Sequence, residues 1–144
     1  MTIKCEIVSQ DRIVFEGDVD MVVLPGAAGE MGILPHHSPV LSVLNYGIIT
    51  VKKSGKEEHF TVAGGVAEVQ PDQVTVLADA AENVEEIDVQ RATIARQKAE
   101  DRLKELKTVD KDRYMVMLSA LKRSNLRLQA ANKYKADFGK KDIH

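Results

Sequence analysis

A chain of 144 residues with 44% hydrophobic and 29% charged residues has the size and balance of one soluble domain, or one domain with an appendage. With no tryptophan and only 4% aromatic residues its core must be aliphatic, and no apolar run approaches the ~20 residues that span a bilayer. The formal charge of −2 conceals an asymmetry: residues 1–84 hold 5 Lys/Arg and 12 Asp/Glu, whereas residues 85–144 hold 15 and 10.

The single cysteine, Cys5, excludes an internal disulfide, fits a reducing compartment and reads as a small strand residue. The N-terminus lacks a basic segment followed by an apolar one, so no secretory signal is expected.

From Ile3 the chain reads in period two. Ile3–Ile7 alternates apolar and polar, which places one set of side chains on each face of a strand. Further strands are expected at Arg12–Glu16, Val19–Leu24, Met31–Leu34, Val40–Val43, Gly47–Lys53, Glu57–Ala63, Val66–Val69 and Val74–Leu77. The separators are Ser9–Asp11, Gly17-Asp18, Pro25-Gly26, Asn45–Gly47, Lys53–Lys56, Gly64-Gly65 and Gln70–Gln73. Short, evenly spaced strands suggest an antiparallel sandwich or flattened barrel. No segment here is long enough for a crossover helix, which argues against a parallel sheet.

Three features invite a chemical reading. Gly26, Gly29 and Gly32 lack the Gly-Lys-Ser/Thr ending of a phosphate loop and read as turn glycines. His36-His37 has no Cys/His cluster beside it, which argues against zinc. Gly64-Gly65 marks a tight turn or a place where another backbone comes close.

At Glu85–Ala92 the period changes. Asp88 is placed to cap a helix, and Arg91 lies three residues on, along the same side. Val89, Ala92, Ala95 or Ala99, Leu103 and Leu106 give a narrow, alanine-rich stripe to about Lys107. Thr108–Asp110 breaks it, and Asp110 caps a second helix to about Tyr134, with Tyr114, Leu121 and Leu128 seven apart and Ser124-Asn125 interrupting. A short connector favours an antiparallel hairpin.

Alanine faces bury little area, at ~0.8 kcal/mol per buried CH₂, so the hairpin needs a surface, a partner or a ligand to dock on. A permanently docked pair and a ligand-shifted switch both fit this pattern. Arg123 and Arg127 stack at i, i+4 on the second helix. Folded back beside Asp88 and Arg91, they would suit a polyphosphate; standing apart, they are a solvated face.

Taken in order, Gly29–Pro39, Val62–Val69, Val74–Ala78 and the charged hairpin resemble the epsilon subunit of bacterial F-type ATP synthase over residues 1–134. The resemblance implies an α+β chain: an antiparallel β-sandwich over residues 1–84 and a regulatory helical hairpin over 85–136; the tail, 137–144, departs from the family pattern and, being polar and charged with little to pack, is expected to fray. It implies a non-catalytic rotor subunit of the proton-translocating enzyme, peripheral to the cytoplasmic face of the bacterial plasma membrane, without insertion into it.

The implied partners are the gamma subunit and the ring of c subunits, with Glu30 and His37 at rotor contacts. When the hairpin extends to inhibit hydrolysis, it would also meet the alpha and beta subunits, and its basic charge suits their acidic segments. No cofactor is implied as required. ATP is implied as a regulatory ligand that is not hydrolysed, because Ile87-Asp88-Val89-Gln90-Arg91-Ala92 matches the ATP-binding motif of some bacterial members.

Glu82, Ile87, Asp88, Arg91, Ala92, Arg123 and Arg127 are the residues so implied. The arginines would take phosphates, and Asp88 and Glu82 would accept from the adenine amine or position the arginines. A stand-alone ATP sensor is the rival reading. A nucleic-acid module is disfavoured by the negative charge and the lack of an aromatic platform, and an enzyme by the absence of a nucleophile–base pair.

Overall fold

The computed structural model describes residues 1–106 and 110–135. The chain divides into two compact units that meet in sequence between Val84 and Glu85.

The first unit is a single folded sheet of eight strands. β1 (Ile3–Val8), β2 (Ile13–Val19), β3 (Met21–Gly26), β4 (Gly29–Ile33), β5 (Val40–Lys53), β6 (Lys56–Val69) and β7 (Gln73–Ala78) lie in the order β2-β1-β7-β6-β5-β3-β4, and β8 (Ala81–Asn83) pairs with β6. Inward residues from β1 through β7 form one aliphatic core, including Ile7, Leu24, Ile33, Ile49, Val62 and Val76. Phe60 joins it and meets Phe15 with ring centroids 5.4 Å apart, a tilted aromatic pair. Cys5 is fully buried there, and desolvation, with Glu6 adding to it, pushes its thiol up to about 12. It therefore stays protonated near neutrality and packs as a small apolar group.

Several expected boundaries move. β5 and β6 are single 14-residue strands where Asn45–Gly47 and Gly64-Gly65 were expected as separators. Along β5 the buried positions pass from Leu44 to Ile49 and Val51, and along β6 from Phe60 and Val62 to Ala67 and Val69. The inward parity changes in both strands while their register holds, with Leu44 opposite Gly65 and Tyr46 opposite Ala63. The period-two pattern slips phase because the paired strands bend there, not because they end.

Gly65 makes the bend possible. Its φ is +135°, and a Cβ would lie 2.3 Å from the Leu77 carbonyl oxygen. The close-approach reading of Gly64-Gly65 is the one realised, and the turn reading is not.

Pro25-Gly26 does not stop its strand either. β3 runs to Gly26, and its pairing with β5 shifts between Val23 and Gly26, where a residue without an N–H is tolerated. Gly47 has no side chain to collide with the Pro25 ring, which lies 2.6 Å from where its Cβ would be. Gly17-Asp18 and Gly32 likewise lie within β2 and β4 rather than in turns. All pairings among the described strands are antiparallel except one: β1 runs parallel to β7. That contact needs no crossover helix, because the intervening strands themselves form the connection.

The second unit is the helical hairpin. A short 3-10 turn over Val84–Glu86 leads into α1 (Val89–Leu106), and α2 (Lys111–Tyr134) packs against it. Ala92, Ala99 and Leu106 are buried on α1, so Ala99 rather than the exposed Ala95 carries the stripe. On α2 the buried residues are Ser124, Ala130 and Ala131, while Tyr114, Leu121 and Leu128 are only half-buried. Ser124 therefore belongs to the packed face it was expected to interrupt; small side chains are what fit where helix backbones come close. Thr108 and Val109, expected to break the helices, and the tail 137–144 lie outside the described residues.

Candidate functional site

The motif Ile87–Ala92 is built by the start of a helix. Asp88 Oδ1 accepts from the Arg91 amide at 3.1 Å, and the Asp88 carbonyl accepts from the Ala92 amide at 3.0 Å. This is an N-cap: a short carboxylate satisfies one of the orphan amides and favours the positive end of the helix dipole. Ile87 and Ala92 are fully buried, whereas Asp88 and Arg91 are exposed. Two motif residues thus anchor the turn and two face outward, where a ligand can reach them.

The other end of the hairpin returns to this turn. The Lys135 ammonium donates to the Ile87 carbonyl oxygen, joining residues 48 apart in sequence. The bond fixes the two helices as antiparallel, with the end of α2 beside the start of α1. Along α2, at ~1.5 Å of rise per residue, Arg127 stands roughly two helical turns and Arg123 roughly three turns before Lys135. Arg123 is exposed and Arg127 half-buried, one turn apart on α2. The structure thus gathers Ile87, Asp88, Arg91 and Ala92 into a single turn, with the two α2 arginines stepping away from it.

Glu82 belongs to the first unit, where it lies in β8 opposite Thr61 of β6. Glu30 is exposed in β4, opposite Pro25. His37 lies in the loop between β4 and β5, where its Nδ1 donates to the Ser38 carbonyl at 2.7 Å. Preceding it, His36 adopts φ +69° and its amide donates to the Pro71 carbonyl at 2.8 Å. The histidines thus serve loop geometry here. Among the described residues, no group of three or more His, Cys, Asp or Glu side chains is arranged to hold a metal, and no helix is long and apolar enough to cross a membrane.

Sequence reasoning missed Lys135 as part of this arrangement. It sits among polar residues at the end of α2, and only the fold-back of the hairpin gives it a partner.

A β-sandwich followed by a two-helix hairpin, whose open end joins the Asp88 cap of one helix to the end of the other through Lys135, defines a sandwich–hairpin class of protein. The ATP synthase delta/epsilon chain β-sandwich domain matches residues 2–84, and the long α-helix domain of the same chain matches residues 85–132. The chain belongs to the ATP synthase delta/epsilon family, as a bacterial F-type epsilon subunit.

It is 43% identical over 132 residues to the ATP synthase epsilon chain of Halalkalibacterium halodurans, covering 92% of this chain and 98% of that one. The epsilon chain of Alkalihalophilus pseudofirmus is 49% identical over 106 residues, covering 74% of this chain and 80% of its own. In fold it is similar to a chain of the Euglena gracilis mitochondrial ATP synthase, with a TM-score of 0.64 at 21% identity, covering 99% of this chain and 82% of that one.

Proposed function

We propose that this chain is a non-catalytic rotor subunit that couples gamma to the c-ring and restrains ATP hydrolysis through its helices. ATP, bound without hydrolysis to the folded hairpin, relieves the restraint. The observation that carries the reading is the intact Ile87–Ala92 motif, capped by Asp88 at the open end of an antiparallel hairpin whose second helix presents Arg123 and Arg127.

Three guanidinium groups stepping along the hairpin axis from a helix N-terminus suit an elongated polyphosphate better than a single phosphate. Arg91, Arg123 and Arg127 take the phosphates. Asp88 is committed to its cap and positions the turn; Glu82 accepts from the adenine amine or positions an arginine. Ile87 and Ala92 act by packing.

On the sandwich, Glu30 is the candidate c-ring contact and His37 the candidate gamma contact. The exposed Glu30 carboxylate suits a steering role against polar loops. When the hairpin extends, its basic helices meet acidic segments of alpha and beta. The site of action is the cytoplasmic face of the bacterial plasma membrane.

Reconstitution of the rotary enzyme tests this. The full chain is expected to copurify with gamma and depress ATP hydrolysis, and the chain ending at Val84 to copurify without depressing it. Equal hydrolysis with both would remove the inhibitory role. Failure to bind gamma would favour a stand-alone ATP sensor.

A further inference from the structure

We propose that Lys135 is a positioning residue of the nucleotide site: through the Ile87 carbonyl it latches the end of α2 onto the Ile87–Ala92 turn. The functional consequence rests on the ATP-binding reading above; the latch itself rests on geometry.

The Ile87 carbonyl lies just outside the α1 ladder, whose first bond is the one accepted by the Asp88 carbonyl. It is thus available to another donor, and the half-buried Lys135 ammonium takes it. Lys135 is itself held: it is the C-terminal cap of α2, with φ −71° and ψ 124°, and its amide donates to the Ala131 carbonyl at 3.0 Å. Ala131, in the last turn of α2, is fully buried, as are Ile87 and Ala92 at the motif.

A chain of fixed groups therefore runs from Ala131 through Lys135 to Ile87 and on to the Asp88 cap. The packed side chains of α2 at this end, Ala130 and Ala131, are small, so a charge-assisted bond across 48 residues carries a large share of the closure. A ligand that binds only the closed end has its affinity reduced by the fraction of hairpins that are open, so loss of the latch weakens ATP binding without removing any group that touches ATP.

The test uses the full chain with Lys135→Met, which keeps the apolar stem and removes the donor, and Lys135→Arg, which keeps a donor. Amide exchange at Arg91 and Ala92 is followed without nucleotide, and ATP affinity by calorimetry. Lys135→Met is expected to speed exchange several-fold and weaken ATP binding about tenfold, with Lys135→Arg restoring both to within about twofold. Unchanged exchange in the nucleotide-free Lys135→Met protein overturns the latch, as does unchanged ATP affinity. If the unsubstituted chain binds no ATP, the function proposed above fails, and the exchange comparison alone decides the latch.

Discussion

Gly65 shows how one missing Cβ shapes a whole layer of strands. Its φ of +135° lies in a region that side chains rarely adopt, and any Cβ would meet the Leu77 carbonyl oxygen at 2.3 Å and the Ala78 Cα at 2.8 Å. Gly55, in the β5–β6 turn, has φ +79° but open space around it. Gly65→Ala is therefore expected to destabilise the sandwich by about 3 kcal/mol or more, and Gly55→Ala by only about 1 kcal/mol. Denaturant unfolding of the two variants compares them directly; equal losses would mean that the backbone at Gly65 yields.

At this scale the caps were readable from sequence. Asp88 and Asp110 both precede periodic runs, and both accept amide hydrogen bonds from their helices. The role of Gly65 was readable only as an alternative, because the β7 backbone that approaches it is twelve residues away in the chain.

Among the elements, the hairpin depends more on its ends than on its faces. Its packed positions are mostly alanine, with Ser124 among them, so capping weighs heavily. Asp110 accepts from the Asp112 and Arg113 amides at 3.0 and 3.2 Å and faces the Arg113 guanidinium at 3.5 Å. Asp110→Ala is expected to cost about 1 kcal/mol and speed amide exchange in the first turn of α2, while Asp110→Asn keeps most of the cap. Unaltered exchange in Asp110→Ala would show that the turn is held by other contacts.

Both helices could be placed from periodicity, with Ala99 chosen over Ala95 only by packing. The long strands were harder. Asn45–Gly47 and Gly64-Gly65 carry the residue types of turns, yet in the fold they lie inside the paired β5 and β6, with Leu44 opposite Gly65 and Tyr46 opposite Ala63, where the strands bend. β8, three residues long, gives too short a run to show a period. The parallel β1–β7 contact pairs residues as far apart in the chain as Lys4 and Gln73, which no local pattern specifies.

For the whole molecule, the division of charge in the sequence coincides with the division of structure. The acidic residues 1–84 form a sheet around an aliphatic core drawn from residues 3–78, and the basic remainder forms the hairpin. The sheet has its own core, so on the proposed function a change in the hairpin need not unfold it. Asp88, Arg91, Arg123 and Arg127 were nameable in advance because a helix start and an i, i+4 pair are local patterns, whereas Glu82, Ile87 and Ala92 were implied by the resemblance alone. The return of α2 to the Ile87–Ala92 turn, and the part of Lys135 in it, depend on the fold-back.

Calorimetric titration of the full chain with ATP bears most directly on the regulated hairpin, with amide exchange followed over residues 88–106 and 110–134. Saturable ATP binding, new protection in both helices, and loss of binding in the Arg123→Ala/Arg127→Ala variant are expected. Absence of binding at millimolar ATP, or full affinity in that variant, would contradict the ATP site and leave Asp88 and Arg91 as the start of a helix.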